Sequence, residues 1–211
     1  MINKKNKPIL KWPGGKEKEL PNISNALPKK INDYYEPFVG GGAVFVNIEA
    51  KKYFINDKAR ELATLYKVIK NNAKRREFLN YLKAIDKSWK ELGLFVSNEE
   101  KSLCALYKKY KSNLDKDVLK KTACDFIAKH NNYLKKLLPI PFNVAFEELI
   151  KELNKNLSRK ITRMERIERE KGALPKQDVI KNIESAFKSA YYMQMRYFLN
   201  ICKFHKHILL T

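Results

Sequence analysis

Hydrophobic positions along this 211-residue chain follow two different periods. Near the N-terminus they come in short runs. Tyr34-Tyr35-Glu36-Pro37-Phe38-Val39 is an aromatic and β-branched stretch, and Tyr53-Phe54-Ile55 is a second. Both have the composition of strands. Pro37 cannot donate to a ladder, so it belongs at the end or edge of the first. Between the two, Ala43-Val44-Phe45-Val46-Asn47-Ile48-Glu49 predicts the start of a helix. From Arg60 onward the pattern becomes helical. Leu62, Leu65, Tyr66 and Ile69 form one apolar stripe, and Leu103, Leu106, Tyr107 and Tyr110 repeat it between lysines. Leu138-Pro139-Ile140-Pro141 must interrupt any helix. Phe142 to Leu157 resumes one, and Gly172 followed by Pro175 marks a further stop. Lys176 to Asn200 then reads as a long helix, with Ile180, Ile183, Phe187, Ala190 and Tyr191 on one face.

Composition narrows the class. Hydrophobic residues make up 44% of the chain and charged residues 32%, enough apolar material for an ordinary core and against whole-chain disorder. Lys and Arg number 44 against 23 Asp and Glu, a formal charge of +21 that points to a polyanionic partner. Tyr107-Lys108-Lys109-Tyr110-Lys111 interleaves cations and rings, as a phosphate backbone with occasional stacking requires. A lysine-rich solvated helix satisfies the same residues. The alternating signs of Met164 to Glu170 likewise suit a solvated helix at least as well as a binding face. No apolar run approaches the roughly 18 residues of a membrane span. Met1 to Lys5 leads into polar sequence rather than a signal core, so a soluble, cytoplasmic protein is expected. Cys104, Cys124 and Cys202 form neither a disulfide framework nor, with His130, His205 and His207, a zinc site. Cys124 has apolar neighbours and is expected in the core, while His205 and His207 belong to a terminal tail.

The glycines carry the candidate chemistry. Of seven, five stand in two clusters, Gly14-Gly15 and Gly40-Gly41-Gly42, which suggests that this end of the chain meets a ligand. The order strand, glycine loop, helix, strand, acidic residue is the opening of a nucleotide-binding βαβ unit. A glycine turn lets the backbone pass beneath a nucleoside-type ligand. Asp57 follows Gly40 at close to the roughly 20-residue interval from which an acid accepts hydrogen bonds from a ribose diol. The loop is not GxGxxG and no GK[ST] follows, which disfavours dinucleotides and triphosphates. A tight turn with a solvated Asp is the alternative. In Lys11-Trp12-Pro13-Gly14-Gly15-Lys16 the ring of Trp12 suits an adenine face and Lys16 a carboxylate. Alternatively the hexapeptide is a turn with a half-buried Trp.

Taken together, these segments resemble the DNA adenine methylases in which the cofactor motif comes first, the target-recognition region second and the catalytic motif last. Lys11 to Lys16 is similar to their KW-x-GGK signature. Glu36 to Phe45 resembles their S-adenosylmethionine loop, and Asn56-Asp57 their ribose-binding acid. The likeness is dense over about the first 70 residues. More softly, Arg163 to Glu168, Lys171-Gly172 and Asp178 to Asn200 resemble a helical linker of one branch. The resemblance implies that Trp12, Lys16 and Asp57 contact S-adenosylmethionine, with Gly40, Gly41 and Gly42 beneath it. It implies an α/β fold: an incomplete Rossmann-like methyltransferase sheet with a mostly helical target-recognition insertion. The implied divisions are residues 1–72 for cofactor binding, 73–175 for recognition of double-stranded DNA, and 176–211 for a helix and tail. The implied activity is methyl transfer to the exocyclic amino group of adenine, within restriction–modification or phage modification.

One departure is large. The family's chemistry uses a [DNS]-P-P-[FYW] tetrapeptide whose polar side chain and prolyl carbonyl accept hydrogen bonds from the adenine amino group. None of the eight prolines here is adjacent to another. The FRYNxxGxFNVP-like stretch that usually precedes the tetrapeptide is missing as well. The expectation is therefore the N-terminal part of a methylase, with no catalytic residue and no metal site, inactive alone. A second chain carrying the catalytic half would complete it. The alternative is a non-enzymatic basic remnant that binds nucleic acid by charge.

Overall fold

A computed structural model describes residues 6–139 and 142–204. The chain divides into two compact units, Met1–Leu79 and Asn80–Thr211. It is mostly helical, with one small parallel sheet among the described residues.

In the first unit, α1 (Leu20–Ala26) carries Pro21 in its first turn, where a missing N–H leaves no bond unmade. Strands β1 (Asp33–Glu36) and β2 (Lys52–Ile55) pair in parallel, Tyr34 opposite Tyr53 and Tyr35 opposite Phe54. β1 ends at Pro37, as its missing donor requires. Backbone bonds continue around it: the Asn56 N–H donates to the Glu36 carbonyl at 2.9 Å, and the Val39 N–H to the Asn56 carbonyl at 2.9 Å.

The helix expected over Ala43 to Glu49 is not formed. A single 3-10 turn, Phe45–Asn47, gives way to extended backbone at Ile48. Val44, Val46 and Ile48 put a β-branched side chain at every second position, which favours extended backbone. The buried Asn47 side chain donates to the Ala43 carbonyl at 2.8 Å and to the Asn6 carbonyl at 2.9 Å, and accepts from the Asn6 N–H at 2.7 Å. These bonds fix the turn against the N-terminal segment instead of letting it propagate. Helix α2 (Arg60–Lys70) follows, burying Leu62 and Tyr66 of the expected stripe.

The boundary between the units falls within α3 (Asn72–Asn98). The second unit continues through α4 (Glu100–Asn113), α5 (Lys116–Lys129), α6 (Asn131–Leu137), α7 (Phe146–Lys171) and α8 (Lys176–Phe204). α7 and α8 pack along one another, with Leu153, Leu157 and Ile161 meeting a core that includes Ile183, Phe187 and Ala190. Asp115 caps α5, its Oδ1 accepting the N–H groups of Asp117 at 2.8 Å and Val118 at 3.1 Å. α6 stops at Leu137, before the prolines. Ile140 and Pro141 lie outside the described residues, as do His205 and His207. Phe142–Ala145 forms a 3-10 turn that leads into α7, and α7 ends at Gly172.

One expectation fails here, and an open alternative is decided, for the same reason. Cys124 is exposed, because Leu119, Ala123 and Ile127 occupy the buried stripe of α5 and Cys124 lies one residue round the helix from it. Tyr107 and Tyr110 are buried, so their rings offer no stacking surface among the lysines. No described helix is long and apolar enough to cross a membrane.

Candidate functional site

The glycine loop of the first unit is held from three sides. The N-terminal segment crosses it: the Ile9 N–H donates to the Gly41 carbonyl at 2.9 Å, and a Cβ at Gly41 would collide with the Leu10 carbonyl. Only glycine permits so close a crossing. From α2, the Tyr66 hydroxyl donates to the Gly40 carbonyl at 3.0 Å. From the end of β2, Asp57 Oδ2 accepts the Gly40 N–H at 2.9 Å, while Oδ1 accepts the Ala59 N–H at 2.9 Å. Trp12 rests beside Gly40, its Cδ1 3.5 Å from where a Cβ would stand. The Gly15 N–H donates back to the Trp12 carbonyl at 3.1 Å, closing the turn that presents Lys16.

These elements enclose a cleft of about 530 Å³, within the range of small-molecule sites. Trp12, Lys16, Gly40, Gly41 and Asp57 all line it. Gly42 does not; it backs onto Tyr66 and Phe45. Two further wall residues escaped the sequence reading as site candidates, Glu36 and Phe38. Phe38 is 76% exposed. Glu36 shares the half-buried face of β1 with Tyr34, whose hydroxyl donates to Glu36 Oε2 at 2.9 Å. The available signal was positional: a carboxylate alternating inward at the carboxyl end of a strand before a glycine loop.

Of the three carboxylates that line the cleft, Glu17 among them, Asp57 and Glu36 differ in character. The N–H groups of Ala59 and Gly40 hold the Asp57 carboxyl below the ordinary aspartate range, so it is charged at neutral pH. Burial pushes the Glu36 carboxyl up, against the opposing hydrogen bond from Tyr34. The cleft thus combines three carboxylates (Glu17, Glu36 and Asp57), two lysines (Lys11 and Lys16), an indole face and a glycine floor. Among the described residues, no group of His, Cys, Asp and Glu is placed to hold a metal ion.

The family model for the D12 class N6 adenine-specific DNA methyltransferases matches residues 12–207. The chain belongs to that family. The Type II methyltransferase M1.LlaDCHI of Lactococcus lactis subsp. cremoris is 44% identical over 66 residues, 31% of this chain and 23% of its own length. The DNA adenine methylase of Haemophilus influenzae is 43% identical over 68 residues, 32% of this chain and 24% of its own. The Type II methyltransferase M.MjaIII of Methanocaldococcus jannaschii is 45% identical over 78 residues, 33% of this chain and 27% of its own. The chain therefore spans about a quarter of the length of these relatives. No solved structure matches it.

Proposed function

We propose that the cleft of the first unit binds S-adenosylmethionine and that the chain serves methyl transfer to the amino group of adenine in double-stranded DNA. The observation that carries this reading is convergence on Gly40. The indole of Trp12 lies beside it, Asp57 binds its N–H, and Tyr66 binds its carbonyl. Three separate sequence motifs meet at one residue of a small-molecule-sized cleft. The donor set fits the cofactor. Each Asp57 oxygen takes one N–H and keeps a further acceptor site, which two ribose hydroxyls require. Trp12 offers a face to adenine and Lys16 a cation to the methionine carboxylate. Gly40 and Gly41 give the floor its close approach.

When bound, the cofactor supplies an electrophilic methyl group on a sulfonium. Asp57, Trp12 and Lys16 would hold its ribose, base and carboxylate ends. β1, the glycine loop and β2 correspond to the opening of a Rossmann-like sheet. Residues 73–175 serve target recognition, and 176–211 add a helix and a tail of no assigned role. A cytoplasmic location follows from DNA as substrate.

Raising the nucleophilicity of an adenine amino group requires acceptors for its two hydrogens, and this sequence contains no [DNS]-P-P-[FYW] to provide them. We therefore expect no methyl transfer from labelled cofactor to mixed-sequence duplex by the chain alone. Transfer should begin when a polypeptide carrying that tetrapeptide is added. Transfer by the chain alone would contradict this assignment. Binding of DNA with no cofactor affinity would favour a non-enzymatic basic protein, the reading to which the +21 charge points by itself.

A further inference from the structure

We propose that the cleft between α5 and α7 is a track for the phosphate backbone of duplex DNA, centred on Arg159 and Arg163. DNA is chosen as the polyanion because the methyltransferase reading above requires it; the track itself is argued from the second unit.

Lys155, Arg159, Arg163 and Arg166 recur along α7 at helical spacing, all exposed, over about 16 Å at 1.5 Å per residue. Lys116 and Lys120 of α5 stand on the opposite wall of a cleft of about 670 Å³, Lys120 pairing with Asp117 at 3.4 Å. The charges at the two ends of the stripe are already neutralised. Lys155 pairs with Glu152 at 3.1 Å, Arg166 with Glu170 at 3.8 Å, and neighbouring Arg169 with Glu165 at 3.6 Å. The central pair is different. Among the described residues, neither Arg159 nor Arg163 has a carboxylate partner.

Arg159 is also held in place. Its Nη2 donates to Asn156 Oδ1 at 3.0 Å. Asn156, only 4% exposed, is anchored through Nδ2 to the Glu152 carbonyl at 2.8 Å and to Glu152 Oε2 at 3.0 Å. A guanidinium fixed by a buried framework and lacking a counter-ion is pre-organised for an external anion.

The floor of the cleft is apolar. Tyr110 and Leu119 form its base, and Leu114 lies at its edge, half exposed. Leu114, the residue that ends α4, adopts φ 53°, a left-handed conformation that a leucine rarely takes. An apolar floor between cationic walls suits a sugar–phosphate strand, with phosphates on the guanidinium groups and deoxyribose against the leucine. The length of the stripe exceeds what one phosphate-bearing small molecule needs. Arg159 also borders a second cleft with the exposed Trp89, where the α8 lysines Lys181 and Lys188 are already paired with Asp178 and Glu184.

Binding of a short mixed-sequence DNA duplex to the full chain would be followed by fluorescence anisotropy across a salt series. Three proteins would be compared: wild type, Arg159→Gln/Arg163→Gln, and Lys108→Gln/Lys109→Gln, which removes equal charge from α4. Each lost phosphate contact lowers the log–log salt slope by about 0.9, so the arginine variant should lose about 1.8 and the lysine variant much less. Equal losses in the two variants, or none in the arginine variant, would overturn the track. So would tighter binding of an RNA duplex of the same length. If Arg159→Gln disturbs the Asn156 anchor and lowers the melting temperature, Arg163→Gln alone carries the test, with an expected loss of about 0.9. Titration with S-adenosylmethionine separates the two readings. If the wild type fails to bind the cofactor while the slope difference persists, the methyltransferase reading falls and the track stands. Normal cofactor binding with no slope difference removes the track alone.

Discussion

At the scale of residues, the cleft sets two carboxyls against each other. Asp57 ionises more readily in the folded chain than in the unfolded one, because the N–H groups of Ala59 and Gly40 reward its charge. Its contribution to stability is present above the ordinary aspartate value and is lost as pH falls through the lowered folded value, so the loop keeps this support at neutral pH. Glu36 has the opposite sign. Burial raises its folded value, so its contribution is fully present below the unfolded value and declines as pH rises through the raised one. Glu36→Gln keeps an acceptor for the Tyr34 hydroxyl and removes the buried charge. Its melting temperature should exceed that of wild type at pH 7, and the advantage should vanish near pH 4. A lower melting temperature at both values would mean that the carboxylate itself is needed. Gly41 has no such latitude, since any side chain meets the Leu10 carbonyl. Gly41→Ala should destabilise the first unit by about 1–3 kcal/mol, read from thermal unfolding.

At the scale of elements, α5 depends on its first turn. Asp115 satisfies two N–H groups there, and Asp115→Ala should lower stability by about 1 kcal/mol in urea denaturation with an unchanged slope. The helices were legible because their stripes are long and repeated. Leu103, Leu106, Tyr107 and Tyr110 are all buried, as their spacing required. That same stripe decides between the two readings of Tyr107 to Lys111: the period that made the segment a helix had already committed both rings to the core. The residues from Ala43 to Glu49 were misread because a glycine loop before apolar residues suggests a helix, while the β-branched side chains and the Asn47 bonds oppose one. Trp12, Lys16, Gly40, Gly41 and Asp57 could be found because motifs mark them. Glu36 was harder to single out, since its one mark is its inward register at the end of β1 before the glycine loop. Arg159 and Arg163 were hidden by the mixed charges that follow them, and only the helix register separates that pair from its neutralised neighbours.

At the scale of the whole molecule, a chain of formal charge +21 places a small-molecule cleft in one unit and a cationic groove in the other. Cofactor recognition, backbone recognition and catalysis are separable functions in this chemistry, and the sequence carries residues suited to the first two. The central claim is that the cleft around Gly40 is a site for S-adenosylmethionine, gripped by Asp57. Calorimetric titration of the cofactor into the folded chain tests it most directly, beside an Asp57→Ala variant shown by circular dichroism to keep its helices. The account predicts saturable one-to-one binding by wild type, and an affinity about ten- to a hundredfold weaker in the variant, the effect of losing charge-assisted hydrogen bonds to a ribose. Equal affinity in the two proteins, or no binding by the folded wild-type chain, would contradict it.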